Sequence, residues 1–137
     1  MGLHHELPIY RDSRALLIKT ISIIRNIPRD LKATLGKSLL DGVSDFSRLI
    51  MHANIAMGDG KVPHLDELLT KLEVIQFQFR ALAEMGVLPR THHADVIELM
   101  ASIGAQAGGW KKGSISAPVN GEQSNVATPP VQSSLRL

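Results

Sequence analysis

The 137-residue sequence contains no cysteine, which excludes a disulfide framework, a thiolate metal site and a cysteine nucleophile. Aromatic residues make up only 4% of the chain, so a surface that stacks nucleobases on aromatic rings is not expected. No apolar run approaches the length of about 18 residues that spans a bilayer, and the N-terminus lacks the basic and apolar regions of a signal peptide. These absences favour a cytoplasmic protein with no membrane partner.

Strand patterns are also absent, because no segment alternates cleanly between β-branched and polar residues. Four of the seven prolines stand before long stretches of helix-forming residues, and proline suits the first turn of a helix because it lacks an N–H group. Apolar residues recur with a helical period in each stretch, which predicts helices over residues 8–26, 28–57, 63–86 and 89–112. The predicted fold is an all-α, up-down-up-down antiparallel four-helix bundle that occupies residues 1–112.

The remaining segment, residues 113–137, differs in composition. Fourteen of its 25 residues are Ser, Pro, Gly, Asn or Gln. Such a segment buries too little apolar surface to offset the entropy lost on ordering. We therefore predict a disordered tail.

Two predicted helices carry apolar residues outside the row that would face the core. In the third helix, the predicted core row is Leu65, Leu68, Leu72, Ile75, Phe79 and Leu82, and the additional row is Val74, Phe77, Ala81, Met85 and Leu88. In the second helix, the additional residues are Leu40, Val43, Ile50 and Met51. Large exposed apolar patches usually mark a partner surface, so we predict that these rows form a homo-oligomer interface. The alternative is that one row belongs to the core of an irregular bundle.

No residue pattern typical of catalysis or cofactor binding is present. The sequence lacks a glycine-rich phosphate loop and a nucleophile elbow. His92 and His93 are adjacent, and neighbouring residues of a helix point about 100° apart, so they are poorly placed to chelate one ion. We predict that the chain is not an enzyme and that it holds no metal or cofactor.

Positive charge is concentrated in the first half of the predicted bundle. Residues 8–57 contain eight Lys or Arg and four Asp or Glu, whereas residues 63–112 contain five and six. Arg11, Arg14 and Arg25 share one face of the first helix, opposite its leucines and isoleucines. Repeated around an oligomer, such a surface would bind nucleic-acid backbones through counterion release, without base readout. The candidate nucleic-acid-binding residues are Arg11, Arg14, Arg25, Arg29, Lys32, Arg80, Lys111 and Lys112. The alternative is a solvated helical surface with no ligand.

Four short parts of the sequence carry a family resemblance. They are LPIY at residues 7–10, IPR at 27–29 followed by LG at 35–36, MHAN at 51–54 and, most specifically, IGAQAGGW at 103–110. Over residues 7–112 the chain resembles the four-helix-bundle family that includes the accessory variability determinant (Avd) of diversity-generating retroelements. The same broad family includes the proteins encoded by intervening sequences in bacterial 23S ribosomal RNA genes.

The resemblance implies a homopentameric barrel of four-helix bundles that binds the reverse transcriptase of the retroelement and its template RNA. Such a protein is not a polymerase itself, and it supports the mutagenic complementary-DNA synthesis that diversifies a target gene. The resemblance also implies a role for Arg80, which matches a functional arginine of the family. One helical turn earlier, where the family often has a basic residue, this sequence has Gln76. The alternative function is a structural bundle of the intervening-sequence type with no polymerase partner.

Overall fold

The helices begin where the prolines predict. The computed structural model describes residues 7–116 and shows no strand among them, so the predicted all-helical class is confirmed. Three of the four bundle helices are single α-helices, namely α1 at Pro8–Ile24, α5 at Val62–Glu84 and α6 at Arg90–Ser116. Proline occupies one of the first two positions of both α1 and α5, where its fixed φ angle already suits the helix.

The second helix of the bundle, residues 29–55, is divided into segments. They are α2 at Arg29–Leu31, a π-helical turn at Lys32–Gly36, α3 at Lys37–Ser44 and α4 at Phe46–Ile55. The sequence analysis predicts one uninterrupted helix here and misses the π turn. At the end of this turn, a Cβ atom on Gly36 would lie 3.2 Å from Cγ2 of Ile24. The glycine therefore permits close approach of the first and second helices.

A glycine ends the third helix. Gly86 has a φ angle of 80°, which glycine adopts without the steric penalty of a side chain. The N–H of Val87 donates to the carbonyl of Leu82 at 3.1 Å, and the N–H of Gly86 donates to the carbonyl of Ala83 at 3.0 Å. This pair of bonds is a Schellman motif, which satisfies two carbonyls left open at the helix end.

Contacts between side chains establish the antiparallel arrangement. Gln78 donates to Ser38, and Arg48 pairs with Glu67, so the second and third helices run in opposite directions. The first helix packs against the second and fourth helices, and the third helix packs against the same two from the other side. The first and third helices therefore lie at diagonal corners of the bundle.

The core lies between the four helices and is centred on two phenylalanines, Phe46 and Phe79, both fully buried. All six residues of the predicted core row in the third helix are buried. The predicted helix boundaries agree with the structure to within about two residues, except at the end of α6. This helix continues to Ser116, because Ser114 is buried and its hydroxyl donates to the carbonyl of Trp110 at 2.9 Å. The rest of the predicted disordered tail, from residue 117 onward, lies outside the described residues.

Candidate nucleic-acid and oligomer surfaces

Three candidate basic residues surround the connection between the first and second helices. Arg25 is the C-cap residue of α1, Arg29 begins α2 and Lys32 begins the π turn. Ile27 anchors this connection, because its side chain is buried in the core. The three basic side chains are exposed, and in the part of the chain that the structure describes they form no ion pair or side-chain hydrogen bond. The connection therefore presents three unpaired cations, with one exposed carboxylate, that of Asp30, between Arg29 and Lys32.

Two further arginines lie at the opposite end of the first helix. Arg11 and Arg14 are exposed, and neither has a polar partner within residues 7–116. The carboxylate between them, that of Asp12, accepts hydrogen bonds from Ser102 and Gln106, each at 2.7 Å. Asp12 is thus held by the fourth helix and forms no ion pair with either arginine. The sequence-predicted basic residues thus fall into separate groups rather than one patch.

Lys111 has a structural role that removes it from the candidate nucleic-acid surface. Its Nζ atom lies 2.7 Å from Oδ1 of Asp66, and its side chain is only 27% exposed. This ion pair joins the fourth helix to the third. The neighbouring Lys112 is exposed. Arg80 is also exposed, and no described residue pairs with it.

The additional apolar row of the third helix lies on the outside of the bundle. Phe77 is 75% exposed, and Val74 and Met85 are more than half exposed. Ala81 is half-buried, and Leu88, which follows the helix, is buried. Phe77 lies two residues before the buried Phe79, and two residues correspond to about 200° around a helix. The third helix is therefore apolar on two nearly opposite sides.

The additional row of the second helix is largely part of the core, which corrects the prediction for Val43 and Ile50. Val43 is 2% exposed and Ile50 is fully buried. Each bundle helix packs against two neighbours, so its buried arc is wider than one narrow row. Leu40 and Met51, at the margin of this arc, are half-buried. The alternative interpretation, that one of the additional apolar rows belongs to the core, therefore holds for the second helix.

The arginine face of the first helix is not wholly polar. Ile18 is 62% exposed and Ile21 is 41% exposed, and both lie between Arg14 and Arg25 along the sequence. The prediction that the arginines lie opposite the isoleucines is therefore wrong for these two residues. Ile18 follows the buried Leu16 by two residues, so the helix turns it away from the core.

Basic residues between the second and third helices are neutralised by carboxylates. Arg48 donates two hydrogen bonds of 2.7 Å to Asp45 and one of 3.2 Å to Glu67. Lys71 lies 3.5 Å from the same Asp45 carboxylate. The hydrogen bonds from Arg48 hold the pKa of Asp45 below its ordinary value. This strip is an ion-paired face between the second and third helices.

Lys61 stabilises the end of the second helix, a role that the sequence analysis misses. Its Nζ atom donates to the carbonyls of Ala53, Asn54 and Ala56 at 2.8, 3.3 and 2.6 Å. The ammonium group also lies 5.6 Å from the ring centroid of Trp110. These contacts satisfy the open C-terminal end of the second helix and connect it to the fourth. No sequence motif marks this role, because it depends on how the turn at residues 58–61 returns the lysine to the helix that it follows.

The histidines that the structure describes do not form a recognisable metal site. Among residues 7–116 there is no group of three or more His, Cys, Asp or Glu side chains placed to hold a metal ion. His52 and His64 pack edge to face with ring centroids 5.4 Å apart. No described helix is both long enough and apolar enough to cross a membrane.

A comparison with protein families identifies the chain. A family model described as bAvd-like matches residues 9–114, a span that includes most of all four helices. No curated protein and no solved structure gives a match. The chain belongs to the bAvd-like family, in agreement with the resemblance seen in its four short segments.

Proposed function

We propose that this protein is a non-catalytic accessory protein of a diversity-generating retroelement. It binds the reverse transcriptase of the element and its template RNA or complementary DNA, and so supports mutagenic reverse transcription in the cytoplasm. The observation that carries this proposal is the bAvd-like match over residues 9–114. The exposed cations are suited to binding nucleic acid, and the exposed apolar row is suited to binding a protein surface.

Nucleic acid binds through its phosphates at the connection between the first and second helices. Arg25, Arg29 and Lys32 are exposed there without carboxylate partners among the described residues. Charge that is not already neutralised is available for phosphate contacts, and those contacts fix position without reading sequence. Arg80 and Lys112, both exposed, supply additional contacts when several copies of the chain assemble.

The test of this surface removes Arg29 and Lys32 together. We expect the Arg29→Gln/Lys32→Gln variant to bind labelled template RNA more weakly than the unmodified chain. The plot of log affinity against log salt should become shallower by about 0.7 for each lost phosphate contact. The matched control is Lys37→Gln/Arg48→Gln, because it removes the same charge from residues that are paired with carboxylates. Equal loss of affinity in the two variants would contradict the assignment.

The protein assembles into a homo-oligomer, a pentamer by resemblance to its family, through the outer row of the third helix. This row contains Phe77, the one aromatic residue among the exposed large apolar side chains of the described residues. Its size lets it bury a large apolar area in an interface. Val74, Ala81 and Met85 extend the row along the helix. Leu40 and Met51 are half-buried and form the edge of the interface.

Light scattering tests the assembly directly. We expect the Phe77→Asp variant to have the monomer mass of 14.9 kDa at a concentration where the unmodified chain is several times heavier. Met57→Asp is the matched control, because Met57 is 79% exposed but lies in the turn that follows the second helix. A monomeric unmodified chain would contradict the oligomer, whatever the behaviour of the variants.

The polymerase partner distinguishes the proposed function from a purely structural bundle. The reverse transcriptase encoded beside this chain should bind it in a purified system, and its complementary-DNA synthesis on the template RNA should require the chain. A chain that neither binds the polymerase nor changes its synthesis would belong to the alternative, the intervening-sequence type.

A further inference from the structure

The outer face of the first helix has cations at its ends and apolar side chains at its centre. Arg14, Ile18, Ile21 and Arg25 follow one another at intervals of three or four residues, so they form one row along the helix. The two isoleucines are 62% and 41% exposed, and the two arginines have no polar partner in the described part of the chain. The exposure of its isoleucines to water is unfavourable. The face is complementary to an apolar row with acidic ends.

The outer face of the third helix has that complementary pattern. Glu73 and Glu84 are exposed, and within residues 7–116 neither forms an ion pair. Between them lie Phe77 and Ala81 on the same row, and the exposed Arg80 lies on the same side of the helix, one turn before Glu84, so the face keeps an excess of one negative charge. The two glutamates are separated along a helix by the same number of residues as Arg14 and Arg25 on the first helix, a length of about 16 Å at 1.5 Å per residue. Phe77 follows Glu73 by the interval at which Ile18 follows Arg14.

We propose that the first-helix face of one copy binds the third-helix face of the next copy. Arg14 then pairs with Glu73, Arg25 pairs with Glu84, and Ile18 packs against Phe77. This inference rests on the homo-oligomer of the proposed function, and it names the surface that receives the third helix. It also assigns Arg14 and Arg25 to protein contacts and places Arg80 within the same contact between copies, which leaves Arg29 and Lys32 as the main phosphate contacts.

The positions of the two faces make this contact propagate from copy to copy. The first and third helices occupy diagonal corners of the bundle and do not pack on each other, so each copy presents both faces on different sides. A contact between two different faces is heterologous, and it closes into a ring when the rotation between copies is a whole fraction of a turn.

The register of the bundle is compatible with a cyclic ring. In a ring whose axis runs along the bundle, all copies point the same way, so the first helix of one copy runs parallel to the third helix of the next. Within one copy Gly36 lies against Ile24, and Ser38 bonds to Gln78, which places Arg25 about level with position 81 of the third helix. Glu84 is within one turn, about 5 Å, of that level. The arginine and glutamate side chains therefore have to span only about one helical turn, and no translation between copies is needed.

Charge reversal tests the pairing. We expect the Arg14→Glu/Arg25→Glu and Glu73→Arg/Glu84→Arg variants each to be monomeric by light scattering at a concentration where the unmodified chain is assembled. The chain that carries all four reversals should assemble again, because both pairs regain opposite charges. A reversal of the same size on the second helix, Lys37→Glu/Arg48→Glu, should leave the mass unchanged. Circular dichroism verifies that each variant is folded.

The apolar centre has its own matched pair of variants. Ile18→Ser should weaken assembly by about tenfold or more, the loss expected for one buried apolar side chain. Ile55→Ser should not, although Ile55 is also 62% exposed. An unmodified chain that is monomeric would overturn the oligomer and this pairing together. If the unmodified chain assembles and the Arg14→Glu/Arg25→Glu variant has the same mass, the pairing alone is overturned. The pairing alone is also overturned if the variant with all four reversals stays monomeric.

Discussion

Replacing Lys61 by methionine tests whether one ammonium group holds two helices of the bundle together. Methionine keeps the length and apolar character of the side chain but cannot donate a hydrogen bond. Three carbonyls at the end of the second helix would lose their donor, since Nζ lies 2.8, 3.3 and 2.6 Å from their oxygens. The contact with the Trp110 ring, at 5.6 Å, would lose its cation.

The expected loss of stability follows from these contacts. Hydrogen bonds made by a charged group contribute about 1.5–3 kcal/mol to stability, and a cation over an aromatic ring adds about 0.5–1 kcal/mol. The same charge makes all of these contacts, and water reaches part of the half-buried side chain, so the contributions overlap. We expect the free energy of unfolding to fall by about 2–3 kcal/mol, which corresponds to a decrease in Tm of roughly 10 °C for a chain of this size.

Two measurements separate this effect from a general loss of charge. Urea unfolding at a fixed protein concentration gives the free energy, and fluorescence reports locally because Trp110 is the only tryptophan. The control is Lys32→Met, since Lys32 is exposed and has no polar partner among the described residues. A Lys61→Met variant whose stability lies within about 0.5 kcal/mol of the unmodified chain, the range of ordinary surface substitutions, would refute the reasoning.

Two other substitutions test the charged strip and the fourth helix. Asp45→Asn should lower the free energy of unfolding by up to about 1 kcal/mol at neutral pH. This difference should diminish in acid, because the hydrogen bonds from Arg48 hold the pKa of Asp45 below its ordinary value and the stabilisation is lost as pH falls through the folded-state pKa; a difference that does not diminish in acid would contradict the ion-pair account. Gly108→Ala should raise the free energy of unfolding by about 0.5–1 kcal/mol, because a Cβ there has no neighbour within 4 Å. Destabilisation by that alanine in urea unfolding would indicate that another chain approaches the glycine closely.

The sequence predicts the core of the third helix because burial there follows a local rule. Leu65, Leu72 and Phe79 recur at intervals of seven residues, and side chains at that spacing share one face of a helix whatever its neighbours are. Proline and glycine mark the ends of the same helix for equally local reasons. These features need no knowledge of the tertiary arrangement.

The width of a buried surface is not a local property. Val43 and Ile50 lie outside the narrow row predicted for the second helix, yet they are buried because this helix packs against two neighbouring helices. Ile18 and Ile21 show the reverse case, since their side of the first helix has no neighbour within the bundle. Apolar character alone does not distinguish these two pairs of residues, because the distinction depends on which corner of the bundle each helix occupies.

The same reasoning applies to charge, and it decides which cations are available to a partner. Lys61 and Lys111 point to the seams between helices, where carbonyls or a carboxylate already engage them. Arg29 and Lys32 lie at a helix connection, where no neighbouring helix supplies an acidic residue among those described. The sequence counts all four as equal positive charges, whereas the structure separates those that stabilise the bundle from those that can neutralise a phosphate. Removing an engaged lysine should therefore change unfolding, and removing an unpaired one should change binding.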